Sequence, residues 1–196
     1  MKILREVVIT VVIAAAVFAL LRLTVQSYTV VMSSMELTFQ QGDCIMVSKV
    51  SYRSSGPQRG DVIVFNPPPP HDDSRYPFIK RVIGLPGETV EIKDGEVSIN
   101  GTPLAEDEYI AALPSYTMSA TEVPDNEYFV LGDNRNNSTD SSKGWTVPRD
   151  NIIGKAWFTY WPPGKLGAVK HYSYPELSEA GEQEMGVNHS YGVQLE

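Results

Sequence analysis

Residues 76–88 read YPFIKRVIGLPGE, and this stretch decides the predicted fold. Its apolar run has the length of a β-strand and lies between a proline and a Gly-Leu-Pro-Gly turn. Short runs of the same kind, separated by turn residues, recur on both sides of it. The strands predicted in this way are Ile45–Val50, Asp61–Phe65, Phe78–Ile83, Thr89–Lys93, Glu96–Asn100, Tyr128–Leu131 and Ile152–Tyr160. Because no long amphipathic helix interrupts them, we expect a mainly β fold, a domain of twisted antiparallel β-sheet.

Two stretches between these runs bear on how the strands connect. Asp94-Gly95 separates two alternating runs, and this dipeptide predicts a tight β-hairpin. Residues 102–125 show weak periodicity, so we expect an insertion or a long loop there.

The N-terminal segment, residues 7–25, is apolar enough to cross a membrane. As a helix its 19 residues extend roughly 28 Å, close to the ~30 Å hydrocarbon core of a bilayer. Lys2 and Arg5 precede it, which favours a cytoplasmic N-terminus (residues 1–6) and an extracytoplasmic domain over residues 28–174. The same features fit a cleaved secretory signal with Val25-Gln26-Ser27 as its cleavage site, so local sequence leaves both interpretations open.

Composition excludes several classes of function. The chain has 196 residues and a formal net charge of −8, which argues against nucleic acid as a partner. A single cysteine, Cys44, excludes an internal disulfide, and three scattered histidines predict no metal site. The sequence also contains no glycine-rich phosphate-binding motif, so we expect no cofactor. Residues 175–196 hold five glutamates and no lysine or arginine, and they are predicted to form an acidic, mobile tail.

Two residues carry the predicted chemistry: Ser34, in the sequence VVMSSM, and Lys80, in the middle of the central run. A serine hydroxyl is a weak nucleophile until a base removes its proton, and a neutral lysine can be that base. Lys80 either faces solvent from a half-buried strand or points inward, where desolvation would lower its pKa from about 10.4. The later stretch GDNRNNSTDS, residues 132–141, is either a polar turn or a support packed beneath such a site.

These three blocks, in this order behind an apolar segment, resemble type I signal peptidases, the membrane-bound Ser-Lys endopeptidases that trim exported proteins. The resemblance covers roughly residues 1–165. It implies that Ser34 is the nucleophile and Lys80 the general base. It also favours a retained anchor over a cleaved signal, because cleavage near residue 27 would leave the nucleophile almost at a free end.

The resemblance assigns supporting roles in the last block, with one departure from the family. Ser138 matches a serine that orients the lysine amine, and Asp140 matches a supporting aspartate. The family's arginine after Asp-Ser is Ser142 here, so we expect Asp140 to pair with Arg81 instead. A second departure lies before the nucleophile, where Val31-Met32 replaces the usual Pro-Ser and removes a hydroxyl that can donate to the oxyanion.

The resemblance also implies a substrate and a location. Pockets for small side chains would be lined by Val30, Met35, Phe39, Phe78 and Ile79. The implied partners are signal peptides of exported precursors and membrane lipid, and the implied site is the cell membrane, crossed once.

Two other functions fit parts of the sequence. A catalytically weak homologue could act as a membrane-tethered binding or assembly factor, and the altered Val31-Met32 favours it, whereas the pairing of Ser34 with Lys80 counts against it. A self-cleaving Ser-Lys protease of the repressor type is disfavoured by the apolar segment and by the absence of a DNA-binding region.

Overall fold

The N-terminal helix and the domain behind it are seen in a computed structural model that describes residues 2–71 and 74–177. Helix α1, Lys2–Thr24, has no buried residue, and it is the one described helix long and apolar enough to cross a membrane. The segment predicted at 7–25 falls on this helix except at its end. Val25 already belongs to the first strand, because the chain passes directly from helix to sheet.

Within the described residues, twelve strands follow, numbered in chain order. They are β1 Val25–Thr29, β2 Cys44–Ser48, β3 Val62–Phe65, β4 Phe78–Gly84, β5 Thr89–Lys93, β6 Glu96–Ile99, β7 Thr102–Pro103, β8 Met118–Glu122, β9 Glu127–Leu131, β10 Val147–Pro148, β11 Ile152–Trp161 and β12 Gly167–Ala168. All seven predicted strands are present, with ends shifted by one or two residues. The prediction of a mainly β, antiparallel fold is confirmed by the pairing of every neighbouring strand.

The large sheet has the order β1-β2-β11-β3-β4-β9-β10, with β12 paired to β11. Its central strands β3 and β4 are buried along nearly their whole length, which explains why β3 is a continuous apolar run and why β4 is apolar apart from Lys80 and Arg81. Shifts of register in β11 and β4 mark irregularities of the β-bulge kind, which bend a strand and increase its twist.

The small sheet has the order β7-β6-β5-β8. Its central hairpin turns at Asp94 and Gly95, which both have positive φ, and the predicted hairpin is therefore confirmed. The expectation for residues 102–125 is wrong in part, because Met118–Glu122 forms strand β8 and pairs with β5. That strand is polar and almost fully exposed, so it lacks the alternation from which strands are predicted.

Three hydrophobic clusters hold the sheets together. One lies around Phe65, Phe78 and Trp145, and a second joins the small sheet to β4 and β9 through Ile83 and Phe129. The third packs the segment between β1 and β2 against β2, β3 and β11, and its members are Val30, Met35, Phe39, Ile45, Val47, Val62, Val64 and Ala156. This third cluster fixes the segment that carries Ser34.

The predicted acidic tail, residues 175–196, lies outside the described residues beyond position 177. Its first residues are packed rather than free: the Ala105 backbone N–H donates to Glu176, and Leu177 packs against the second cluster.

Gly154 offers a test of the sheet. A Cβ on this residue would lie 2.2 Å from the carbonyl oxygen of Ser48 in the neighbouring strand, so Gly154→Ala must displace backbone. We expect it to lower the free energy of unfolding by about 1–3 kcal/mol. Gly164→Ala is the matched control, because a Cβ there meets nothing within 4 Å. Urea unfolding of both purified variants measures the difference, and equal stabilities would contradict the close approach of β11 and β2.

Candidate active site

The catalytic pair predicted from the sequence meets at the edge of the third cluster. Lys80 is central in β4, opposite Ile63 of β3, and its side chain is 2% exposed. Its Nζ lies 2.7 Å from Ser34 Oγ and 2.9 Å from the carbonyl oxygen of Ile79. Of the two orientations that the sequence left open for this lysine, the structure therefore adopts the inward one.

Ser34 lies in a loop whose two ends are joined by backbone hydrogen bonds. Val30 and Asp43 are joined by a bond of 2.8 Å, and the Gly42 N–H donates to the carbonyl of Val30. Within the loop, the Ser34 carbonyl accepts from the backbone N–H of Asn134 at 3.0 Å. The nucleophile segment is thus tied to the loop 132–141, which was predicted as a possible support beneath the site.

Burial sets the protonation state of the amine. Desolvation lowers the pKa of Lys80 from 10.5 to about 8, and the nearby carboxylates of Asp140 and Asp133 oppose that shift. A lysine with this pKa is neutral in a large fraction of molecules at mildly alkaline pH. It can then accept the proton of the serine hydroxyl that lies beside it.

The residue next to Lys80 is also a buried cation, and its partner differs from the predicted one. Arg81 donates from Nε and Nη2 to the two oxygens of Asp133, at 2.8 and 2.7 Å. The predicted pairing of Asp140 with Arg81 is therefore wrong. Asp140 instead accepts from the Gly132 backbone N–H and from Ser142, whose N–H and hydroxyl both reach it. Asp140 thereby caps the tight turn over residues 141–143 through the backbone N–H of Ser142.

Ser138 lies in the site, but the predicted hydrogen bond to the lysine amine is absent. Its Oγ is buried and has no hydrogen-bond partner among the described residues. It lies close to Gly132, where a Cβ would come within 2.4 Å of it and within 2.5 Å of the Ser34 carbonyl oxygen. Gly132 thus permits the close approach of the two serine-bearing segments.

Two cavities open at the pair. An apolar one is lined by Tyr28, Thr29, Val30, Val31, Met32, Ser34, Ile45, Val64, Tyr76, Pro77, Phe78, Ile79 and Lys80. A wider one, of about 720 Å³, adds polar groups: Ser33, Gln41, His71, Ser74, Asn136, Asn137, Ser138 and Thr139. Three of the five residues predicted to contact substrate, Val30, Phe78 and Ile79, line the apolar cavity. Met35 and Phe39 do not, because both are fully buried in the third cluster.

Sequence reasoning missed two members of the site. Asp133 was included only as part of a polar loop, although it is fully buried and pairs with Arg81. Thr38 donates its hydroxyl to Asp133 at 2.5 Å and links the nucleophile segment to the ion pair. A carboxylate directly after an apolar strand was the available signal for Asp133, whereas nothing in the local sequence marks Thr38.

Comparison with known proteins gives one consistent family. A family model described as "Signal peptidase, peptidase S26" matches residues 3–161. The chain is 43% identical over 153 residues to a probable signal peptidase I-2 of Synechocystis sp., covering 77% of this chain and 70% of the relative. It is 47% identical over 140 residues to a signal peptidase I of Leptolyngbya laminosa, covering 69% and 68%.

More distant relatives carry similar names. A signal peptidase IB of Staphylococcus aureus is 31% identical over 193 residues, covering 89% of this chain and 97% of that one. A crystal structure of a signal peptidase I from Enterococcus faecalis is 37% identical, covers 52% of this chain and 97% of that one, and superposes with a TM-score of 0.41.

We predict that breaking the buried Arg81–Asp133 ion pair lowers the stability of the protein strongly. Asp133→Asn leaves the Arg81 guanidinium buried without its counter-charge, and we expect the free energy of unfolding to fall by about 3–5 kcal/mol. Glu108→Gln is the matched control, because the pair of Glu108 with Lys170 is solvent-exposed and should contribute nothing measurable. Urea unfolding measures both variants.

If Asp133→Asn does not fold, the double variant Arg81→Met, Asp133→Leu decides the question. Removing both charges should restore part of the loss, since the cost lies in the unpaired charge. Equal stability of Asp133→Asn and wild type would contradict the buried pair.

Proposed function

Because the chain belongs to the peptidase S26 family of signal peptidases, we propose that it removes signal peptides with Ser34 as nucleophile and Lys80 as general base. Membership makes the chain a hydrolase that acts on the signal peptides of exported proteins. The observation that carries the assignment of residues is the 2.7 Å contact between a buried lysine amine and a serine hydroxyl.

Acylation uses the pair directly. The neutral Lys80 amine accepts the Ser34 proton as Oγ forms a bond to the carbonyl carbon of the residue before the cut. The backbone N–H of Ser34 donates to the oxyanion that develops. The protonated amine then passes its proton to the nitrogen of the departing chain as the peptide bond breaks, which leaves an ester on Ser34.

Deacylation repeats the same proton movements with water. Lys80 is neutral again after the amine has left, so it takes a proton from a water molecule that attacks the ester carbonyl. Collapse of the second tetrahedral intermediate returns that proton to Ser34 Oγ and releases the signal peptide with a free carboxylate. No metal or cofactor is required for either half of the reaction.

The apolar cavity supports the proposed specificity for small side chains before the cut. Val30, Phe78 and Ile79 line it together with the two catalytic residues, so a side chain placed there lies next to the scissile bond. The volume of this cavity is only about 70 Å³, which favours a small side chain such as that of alanine. Met35 and Phe39 do not line the cavity. They pack in the same cluster as Val30, against which Ile79 also packs, and so support two of the lining residues.

The anchor supports the proposed location. The chain is a membrane-anchored enzyme, to judge from α1 and from its relatives. We further propose that α1 crosses the cell membrane once, with residues 1–6 in the cytoplasm and residues 28–174 outside. Confinement to one membrane raises the effective concentration of a precursor whose own signal peptide lies in the same bilayer. Lys2 and Arg5, which lie in the first turns of α1 ahead of the apolar segment 7–25, support this orientation.

The alternative function, a membrane-tethered binding or assembly factor, gains no support from the site. A binding protein has no use for a desolvated amine placed on a serine hydroxyl. Burying that amine also opposes folding, because its charged form must be given up. Cleavage by the purified chain separates the two functions.

The dyad predicts the outcome of two substitutions. Ser34→Ala removes the nucleophile and Lys80→Ala removes the base, so each should abolish cleavage of a precursor with an Ala-x-Ala site. Ser54→Ala and Lys93→Ala replace exposed residues of the same types and should cleave as wild type does. Gel analysis of the precursor with full-length protein in detergent measures all four. Wild-type activity in either dyad variant would refute the mechanism.

The state of the amine predicts the pH profile. Burial favours the neutral form of Lys80 in the free enzyme, so kcat/KM should rise with pH through a midpoint near the pKa of about 8, more than two units below an ordinary lysine. The sign follows because only the neutral amine can accept the serine proton. Steady-state kinetics between about pH 6 and 10 give the midpoint. A profile that is flat over this range would exclude Lys80 as the base.

A further inference from the structure

The last described residues, 170–177, cross back over the domain and form what we name the C-terminal strap. The ring of Tyr172 packs against that of Tyr109 at a tilt of 46°, with centroids 4.8 Å apart, and the hydroxyl of Tyr174 lies 2.9 Å from that of Tyr109. Glu176 accepts from the backbone N–H of Ala105 at 2.9 Å. The strap therefore joins the end of the large sheet to the chain segment beside the small sheet.

The strap reaches the buried cation next to the catalytic lysine. The guanidinium carbon of Arg81 lies 4.4 Å from the ring centroid of Tyr109 and 4.9 Å from that of Tyr172. With the two rings 4.8 Å apart, the three groups form a triangle in which each contacts the other two. Aromatic faces attract a cation, and the attraction is strongest where water is excluded, as it is around this fully buried arginine.

The cation held in this way is the partner of Asp133, and the neighbours of Asp133 contact the segment that carries Ser34. Thr38, four residues after the nucleophile, donates to Asp133 and accepts from Arg81. The residue after Asp133, Asn134, donates its backbone N–H to the carbonyl of Ser34. A change in the position of Arg81 is therefore transmitted to both sides of the catalytic pair.

We propose that the strap is a positioning element of the active site, in which the ring of Tyr172 holds the Arg81–Asp133 pair in the geometry that the Ser34–Lys80 dyad requires. The inference rests on the proposed function for its catalytic consequence. Tyr172 touches neither of the dyad residues, so it acts through Arg81. Nothing in the local sequence of the strap indicates this role, since the contact joins residues 91 positions apart.

The proposal predicts a change in the pKa of Lys80. The charged groups that act on this amine are the carboxylates of Asp140 and Asp133, while Arg81 neutralises the second of them. If Arg81 withdraws, the charge of Asp133 is less compensated and favours the protonated amine. Loss of the Tyr172 ring should therefore raise the pKa of Lys80 and move the pH profile to higher pH.

The test compares Tyr172→Leu with Tyr172→Phe in the full-length protein in detergent, with an Ala-x-Ala precursor as substrate. Leucine removes the aromatic face, whereas phenylalanine keeps it and removes only the hydroxyl. For an upward shift of about one pKa unit, kcat of Tyr172→Leu should fall about fivefold at pH 8 and recover near pH 10. KM should change less than about twofold, and Tyr172→Phe should match wild type at every pH.

Glu176→Ala controls for a merely structural role, because it loosens the strap without touching Arg81. It should lower the melting temperature and leave the pH midpoint unchanged. An unshifted midpoint in Tyr172→Leu, or an equal shift in Glu176→Ala, would overturn the proposal.

The pKa of Lys80 is also followed directly by NMR of the labelled amine in wild type and Tyr172→Leu. This measurement does not depend on cleavage, so it separates failure of the inference from failure of the proposed function. Equal pKa values in the two proteins would refute the role of the strap even if the chain cleaved no precursor. A higher value in Tyr172→Leu would support it.

Discussion

Two consecutive cationic side chains buried in one strand are the constraint on which the rest of the structure depends. Lys80 and Arg81 are both almost completely inaccessible to water, and the alternation of a strand sends them to opposite sides of β4. A buried charge is costly unless it is paired or lost. The fold meets this requirement differently on the two sides: Arg81 keeps its charge and is paired with Asp133, whereas the amine of Lys80 is left with a serine hydroxyl and a carbonyl.

This asymmetry produces the chemistry. An acidic partner directly on the amine would hold Lys80 protonated and useless as a base, and the two nearest carboxylates are both engaged elsewhere. Asp133 neutralises Arg81, and Asp140 caps a turn and accepts from Gly132. The second cation therefore favours the neutral form of the first, because it occupies a carboxylate that would otherwise stabilise the charged amine.

The structure shows where the two departures from the family sequence pattern lie and which contacts they make. Ser142 stands where an arginine is usual, and Asp140 is satisfied by this serine within its own turn. Val31 and Met32 replace the usual Pro-Ser and are about half exposed at the mouth of the cavity. The second change removes a side-chain hydroxyl beside Ser34, while the contact between Ser34 and Lys80 is kept.

The sequence by itself determined the class of fold, the seven principal strands and the hairpin at Asp94-Gly95, and it singled out Ser34 and Lys80, whose side chains the structure brings into contact. These follow from local periodicity, turn chemistry and a recognisable order of motifs. It missed β1, β7, β8, β10 and β12. Strands β1 and β8 are largely exposed and so lack a hydrophobic pattern, and the other three are only two residues long. It also assigned the wrong carboxylate to Arg81 and expected a bond from Ser138 that is not formed.

Those errors share one physical cause. Ser34 and Lys80 are 46 positions apart, and Arg81 and Asp133 are 52 positions apart. The order and register of the strands decide which of two acidic residues in one loop reaches a given cation. Local sequence shows that the loop is polar and near the site, but a shift of one residue in a strand reverses the face on which a side chain lies. Tertiary structure alone decided that Asp133 faces Arg81, that Asp140 turns back to its own loop, and that the strap covers the pair.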